Sequence, residues 1–449
     1  MKQLKNFRYS HVLVMGLARS GSAAARLLLG NGVRVRVNDK NVAEEDSVVR
    51  ELKALGAEVI VGSHPVSVLD DIELLVKNPG IPYENPLIEE AQSRGIPIIT
   101  EIELAGNLAG SSMIGITGSN GKTTTTTLTA EMLAQSRQPV KVAGNIGTVA
   151  CEVAQTLAPE ERMVIELSSF QLLGIESFHP KIAVLLNIYE AHLDYHKTME
   201  NYRRAKFQIF KNQKADDYLV FNADDPTLKE AAGEAASIKV PFSSRRRLGH
   251  GVWVDESNIY FGNDRVVKRS DIVLVGEHNL ENILAAVAAA KLAGASNEGI
   301  QSVLKTFSGV EHRMQFVDEV NGRLFYNDSK ATNTLATKKA LSSFKQPVVL
   351  LAGGLDRGND FNELKEYLDH VKAIVLFGET KDKLQSLAAE AGVPFIVKST
   401  NVEQAAKMAY DLSEEGDIIL LSPACASWDQ YNSFEERGDM FIQAVHKLK

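Results

Sequence analysis

Residues Gly115–Thr127 read GITGSNGKTTTTT, an arrangement that could handle phosphate. An apolar stretch, Met113–Thr117, runs into Gly118-Ser119-Asn120-Gly121-Lys122-Thr123, and the threonine-rich sequence after it starts a helix. Such a loop turns its backbone N–H groups, and the helix N-terminus behind them, toward a polyphosphate; Lys122 neutralises charge and the Thr123 hydroxyl can reach Mg²⁺. The general phosphate loop has a glycine where Ile116 stands, so this spacing is a variant of it. The competing reading is a structural turn that happens to read Gly-Lys-Thr, and the strand-loop-helix context speaks against it.

Other polar residues stand where apolar stretches end. Glu166 closes RMVIE, and His192 and Asp194 follow IAVLLNI, so a carboxylate and an imidazole at strand ends of one sheet could ligate or orient Mg²⁺. Each alone reads equally well as a hydrogen-bonded cap. Nearer the N-terminus, Gly16-Leu17-Ala18-Arg19-Ser20-Gly21 resembles a dinucleotide-binding loop with alanine replacing the middle glycine, and Asp39 lies near the distance expected of a ribose-binding acid. That loop suits a dehydrogenase, a nucleotide-sugar site or a structural turn, and Asp39 suits a cap or turn as well.

The elements that must position these groups alternate strand and helix. HVLVMGLARSGSAAARLLLGNGVRVRVND reads as a βαβ unit, and AEVIVG, IELLVKNPGIP and IPIITEIEL each read as a buried strand, giving a small parallel sheet that ends near residue 100. A second block begins at SMIGITGSNGKT, has strands in RMVIELS, IAVLLNI and DYLVFN, and contains the alanine-rich helix HNLENILAAVAAAKLAGA. A third follows FSGVEHRMQFV, with strands in LFYN, PVVLLAGG, AIVLFG and DIILL. The fold class is therefore α/β in three domains, over 1–100, 101–309 and 310–449: a Rossmann-like first domain, a central P-loop ATPase-like domain and a Rossmann-like C-terminal one.

With 449 residues the chain is too long for one core. Apolar residues make up 44% and charged residues 24%, as in globular enzymes, and no apolar run is long enough for a membrane helix. The N-terminus goes straight into a strand with no signal-peptide pattern, and the two cysteines, Cys151 and Cys425, form no CxxC site, which together suggest a reduced cytoplasm. Net charge is −8, so nucleic acid finds no overall attraction, and Arg245-Arg246-Arg247 reads as a solvated loop. On composition Lys206 reads as a solvent-facing helix lysine.

TGSNGKTTT, GNIG (144–147), ELSSFQL, NIYEAHLDYH, YRRAK, GEHNLEN, EHR (311–313), NDSKATN and SPACASWDQYNSFEERG together resemble the Mur ligases, across all three domains and in the right order. NDSKATN and the last motif are similar to those of the members that add D-glutamate. The resemblance implies an ATP-dependent amide-bond ligase of peptidoglycan precursor synthesis, and so a role in cell-wall biogenesis, cell shape and division. ATP would phosphorylate the carboxylate of UDP-N-acetylmuramoyl-L-alanine, and the amine of D-glutamate would attack the acyl phosphate, a transfer that depends on positioning and on charge neutralisation by Lys and Mg²⁺.

It further implies that Gly118, Asn120, Gly121, Lys122, Thr123 and Thr124 hold ATP, with Asn279 and Asn282 near adenine and Arg313 and Asp328 at phosphate and ribose. Thr123 and Glu166 would serve one Mg²⁺, and His192 with Lys206, carbamylated by CO₂, a second. Closure of the third domain over the second would exclude water. Ser20, Asp39, Asn78 and Gly80 would face UDP, and Asn145 and Ser168 the muramoyl part. Lys330, Thr332, Arg357, Ser427 and Phe434 would surround D-glutamate; Arg357 replaces the lysine of some members, and His312 belongs to the site with its role open. The expected state is a monomer. A folylpolyglutamate-synthetase-like ligase would share the central domain but lack such a first domain and the SPACAS ending, and an NAD-binding dehydrogenase would leave the second phosphate loop unexplained.

Overall fold

Short runs of Val, Ile and Leu, each ending at a turn and followed by a helix, build three separate sheets in the computed structural model, which describes residues 2–145, 147–274, 276–358 and 360–448. The first sheet is wholly parallel, with spatial order Glu58–Val61, Arg34–Asp39, His11–Met15, Leu74–Lys77, Ile98–Ile99. Its order reverses between His11–Met15 and Leu74–Lys77, so the turns after those two strands share the crevice where such sheets take ligands.

The second sheet holds nine strands among the described residues. In its parallel centre Met113–Thr117 lies between Ile182–Leu185 and Arg162–Glu166, with Ile116 opposite both Val184 and Glu166. Beyond Ile238–Ser243 the sheet continues through Val252–Val254, Asn258–Phe261 and Asp264–Lys268, an antiparallel edge that the alternation of strand and helix did not announce. Helix Glu277–Leu292 is apolar nearly all round, and its run Ile283–Ala290 is buried, as expected of a helix packed on several sides.

The chain divides into two compact units. Residues 1–271 with 278–305 carry the first two sheets; residues 272–277 with 306–449 carry the third. Within the first unit a continuous core joins Val12, Val37 and Leu74 to Met163, Ile165 and Leu185, so both sheets share one apolar interior. The third sheet pairs Gln315–Val320 antiparallel with Arg323–Asn327, then runs parallel through Ile418–Leu421, Val348–Gly353, Val371–Phe377 and Phe395–Lys398.

One expected strand is corrected. In IPIITEIEL only Ile98–Ile99 is a strand, and Glu101–Ala109 is a helix. Its two acids face inward to satisfy backbone donors. Glu103 accepts from the N–H groups of Glu176, Ser177 and Phe178, and Glu101 from that of Cys151, while burial pushes the Glu101 carboxyl up to about 7. Removing such an acceptor strands buried donors. Glu103→Ala is expected to destabilise the first unit by about 3 kcal/mol, read as a lower first transition in calorimetry with the second unchanged.

Candidate active site

The loop Gly118–Gly121 leaves the C-terminal end of Met113–Thr117, and helix Lys122–Gln135 begins directly after it. Gly121 sits at φ +81°, and a Cβ there would lie 2.0 Å from Asn282 Oδ1. Asn282, on the buried helix Glu277–Leu292, thus packs against the loop, and its Nδ2 donates to Asn279 Oδ1 at 3.3 Å. On the other side Asn187, just after Ile182–Leu185, accepts from Asn120 N at 2.9 Å and donates to Asn120 O at 3.2 Å. Ser119 is fixed by Tyr202 Oη at 2.8 Å and by Tyr189 N at 2.9 Å.

Glu166, 2% exposed, ends the neighbouring strand beside the loop. It accepts from Thr123 Oγ1 at 2.9 Å and from Asn145 Nδ2 at 3.1 Å. Asn145 follows Gly144, whose φ of +108° brings the chain so close to Glu166 O that a Cβ would meet it at 2.3 Å. Ile146 of the same GNIG turn lies outside the described residues.

Two lysines converge on one carbonyl. Lys122 Nζ donates to Gly118 O at 2.9 Å and to Ser119 O at 3.0 Å, and Lys206 Nζ donates to Gly118 O at 2.8 Å. Lys206 is 2% exposed, not solvent-facing as its composition suggested, because helix Met199–Lys211 turns this face onto the loop. Burial, then the neighbouring Lys122 charge, holds its amine well below the ordinary lysine range, against a smaller opposite pull from Glu166.

His192 caps the short helix Leu193–His196 at φ +55° and packs edge-on against Phe170, ring centres 5.0 Å apart. Burial, then Lys122 and Lys206, lower its pKa, which favours the neutral ring. Among the described residues no three His, Cys, Asp or Glu side chains gather into a metal cage. A hydroxyl, one buried carboxylate and a neutral imidazole beside a phosphate loop nevertheless fit Mg²⁺, which is usually held by one or two protein carboxylates, phosphates and water.

In the first sheet, Asp39 accepts from Leu17 N at 2.7 Å and Asn41 N at 2.8 Å, so it shapes the Gly16 loop as a turn residue. Asn78 Nδ2 donates to Ser20 Oγ at 3.2 Å, and Gly80 N to Asn78 Oδ1 at 3.1 Å, which gathers Ser20, Asn78 and Gly80 at the crevice. Arg19 reaches Gly147 O at 2.9 Å, bringing the GNIG turn to the same loop. Ser168 forms a capping box with Gln171 at the start of helix Ser169–Leu172.

In the second unit, Lys330 Nζ lies 5.2 Å from the centre of the Phe434 ring, and the Arg357 guanidinium 4.7 Å from that of Trp428. Ser427 Oγ, one residue before Trp428, is buried and has no hydrogen-bond partner among the described residues, a donor available to a ligand. Lys330 N donates to His312 O and Thr332 N to Lys330 O, which seats both in one turn. Asp328 is buried, accepts from Ser422 Oγ at 3.0 Å and Met314 N at 3.2 Å, and burial pushes it up to about 7 against a smaller pull from Arg313. His312 packs onto Gly438, where a Cβ would meet its Nδ1 at 2.1 Å, and Nδ1 lies 3.0 Å from Asn327 Nδ2.

Sequence reasoning passed over Asn187, Tyr202 and Arg437. Fully buried Arg437 donates to Ser329 Oγ at 3.0 Å, Ser329 O at 2.7 Å and Cys425 O at 3.1 Å, joining NDSKATN to SPACAS. Its standing as the one basic residue of SPACASWDQYNSFEERG was the available signal.

A phosphate loop at the carboxyl edge of a parallel sheet, with a buried acid, a neutral imidazole and a second lysine, defines an enzyme of the nucleotide-dependent phosphoryl-transfer class. The chain belongs to the Mur ligase family: residues 10–100 match the MurD-like N-terminal domain, 116–290 the middle domain and 312–425 the glutamate ligase domain. It is 59% identical over 449 residues to the UDP-N-acetylmuramoylalanine–D-glutamate ligase of Oceanobacillus iheyensis, and 58% identical over 451 residues to that of Geobacillus kaustophilus, covering 100% of both chains in each case. The fold resembles UDP-N-acetylmuramate-alanine ligase of Thermotoga maritima, at TM-score 0.58 and 19% identity over 98% of this chain and 100% of that one.

Because Gly121 has no room for a side chain, Gly121→Ala is expected to raise the KM for ATP at least about tenfold, and Asn187→Ala, which frees the loop, by a similar factor. Steady-state kinetics with circular dichroism as a fold control checks both; an unchanged KM in either variant contradicts the role given to that residue.

Proposed function

We propose that this protein joins D-glutamate to UDP-N-acetylmuramoyl-L-alanine at the expense of ATP, releasing ADP and phosphate through an acyl phosphate. The observation that carries this reading is the meeting of Lys122 and Lys206 at Gly118 O beside Glu166. A free carboxylate is a poor electrophile, and transfer of the γ-phosphoryl supplies its leaving group. Lys122 and the loop N–H groups hold the β- and γ-phosphates, with Asn279 and Asn282 toward adenine and Arg313 and Asp328 also serving the nucleotide. The names of the full-length relatives support this choice of substrates.

Thr123 and Glu166 would hold one Mg²⁺, and His192 with a carbamate on Lys206 a second; Mg²⁺ supplies charge stabilisation for the transferring phosphoryl group. An unprotonated, buried amine is the form that reacts with CO₂, and the product is an anion where two ammonium groups would repel both each other and a metal. In our reading Ser20, Asp39, Asn78 and Gly80 serve UDP, Asn145 and Ser168 the muramoyl part, and Lys330, Thr332, Arg357, Ser427 and Phe434 D-glutamate. Functional domains of 1–100, 101–309 and 310–449, a monomer and a cytoplasmic location complete it. No described helix is long and apolar enough to cross a membrane.

Phosphate release with ATP, Mg²⁺ and UDP-N-acetylmuramoyl-L-alanine is expected with D-glutamate and not with L-glutamate or a diamino acid. Lys206→Ala is expected to lose at least about a hundredfold in kcat, a loss of charge stabilisation of the usual size, and to be partly restored by short-chain carboxylates. A preference for L-glutamate would move the assignment to the folate-type ligases.

A further inference from the structure

Lys77 ends the strand Leu74–Lys77 and is 1% exposed. Its Nζ donates to Ile81 O at 2.9 Å, Pro79 O at 3.2 Å and Asn78 O at 3.4 Å, and to the Tyr195 hydroxyl at 3.2 Å. Tyr195 Oη in turn reaches Ile81 O at 3.1 Å and Pro79 O at 3.3 Å, and the Tyr83 ring lies 4.7 Å from the amine. Among the described residues the amine's partners are carbonyls, a hydroxyl and two tyrosine rings. Burial draws it down to about 7. A leucine or methionine would fill the site at lower desolvation cost, so folding alone does not explain an amine here.

What the amine holds is informative. The carbonyls belong to the turn Asn78–Ile81, which packs on Gly16: a Cβ at Gly16 would meet Asn78 Cβ at 2.8 Å and Ile81 Cδ1 at 3.2 Å. The same turn carries Asn78 and Gly80, whose side chain and N–H join Ser20 in the crevice. Tyr195 comes from the central domain, three residues after His192. Its ring meets Phe170 edge-on at 4.6 Å, and Phe170 meets His192 at 5.0 Å and stacks on His196 at 5.3 Å. His196 is itself fixed by Ser169 Oγ at 2.9 Å.

We propose that Lys77 and Tyr195 are positioning residues, a clamp between the first two domains that ties the Asn78–Ile81 turn to the His192 loop, so that the nucleotide-sugar substrate and the phosphoryl-transfer site set each other's geometry. This rests on the substrate and metal roles proposed above. Neither residue touches the reacting atoms: the path runs through hydrogen bonds at the turn and then through ring contacts to the imidazole.

The test uses the full chain with Lys77→Met, Tyr195→Phe and the double variant, which keep side-chain volume and the aromatic stack. Two quantities are measured: the dissociation constant of UDP-N-acetylmuramoyl-L-alanine without ATP, by calorimetry, and the Mg²⁺ concentration giving half-maximal turnover at saturating substrates. Each single change is expected to weaken substrate binding about tenfold and to raise the Mg²⁺ requirement several-fold, with the double variant no worse than the poorer single one, because both remove one shared interaction. Additive effects, or a wild-type Mg²⁺ requirement in both single variants, would overturn the clamp while the ligase reading stands. Wild-type protein that neither binds the UDP compound nor turns over with D-glutamate would instead overturn the ligase reading, and the clamp with it.

Discussion

Two lysine amines within hydrogen-bond reach of the single carbonyl of Gly118 set the terms for everything around them. Positive charge concentrated in a buried loop is costly unless an anion arrives or one amine gives up its proton. The surroundings are arranged to keep the loop in shape meanwhile: Asn187 clasps Asn120 from one flanking strand end, Glu166 holds Thr123 from the other, and Asn282 presses on Gly121 from the helix behind. A loop held from three sides is already in place when a polyphosphate arrives, so little reorganisation remains for the chemical step.

The sheets explain how those holders come to be neighbours. Glu166 and Asn187 are far from the loop in sequence, and the parallel order Ile182–Leu185, Met113–Thr117, Arg162–Glu166 delivers both to its rim. The first sheet repeats the device, placing the Gly16 loop and the Asn78 turn side by side where its strand order reverses. The apolar core shared by both sheets makes one compact unit of them. Within the other unit Arg437 performs a comparable task, holding Ser329 and Cys425 so that two motifs about a hundred residues apart lie together.

Local patterns in the sequence revealed the phosphate loop, the strand ending at Glu166 and the three α/β blocks, because a parallel strand is a continuous apolar run and a phosphate loop is defined by neighbours in the chain. Features that depend on what packs from elsewhere were not legible. Lys206 reads as a surface lysine until helix Met199–Lys211 is seen to turn it inward, and EIEL reads as a strand until Glu103 is seen to serve backbone donors from residues 176–178 and Glu101 that of Cys151. Asn187 and Lys77 carry no spacing signal at all, since each acts on a partner that the fold, and not the chain, brings near. The three-stranded antiparallel edge beyond Ile238–Ser243 was hidden for a similar reason: its strands are short and only partly apolar.

In the proposed reaction this loop delivers a phosphoryl group to a carboxylate. Incubation with ATP, Mg²⁺ and UDP-N-acetylmuramoyl-L-alanine without D-glutamate, followed by borohydride reduction and mass spectrometry, looks for the product of that step. An ATP-dependent product in which the alanyl carboxylate has become a primary alcohol, together with ADP, is the predicted result. Formation of AMP and pyrophosphate, or D-glutamate-dependent turnover with no reducible intermediate, would contradict it.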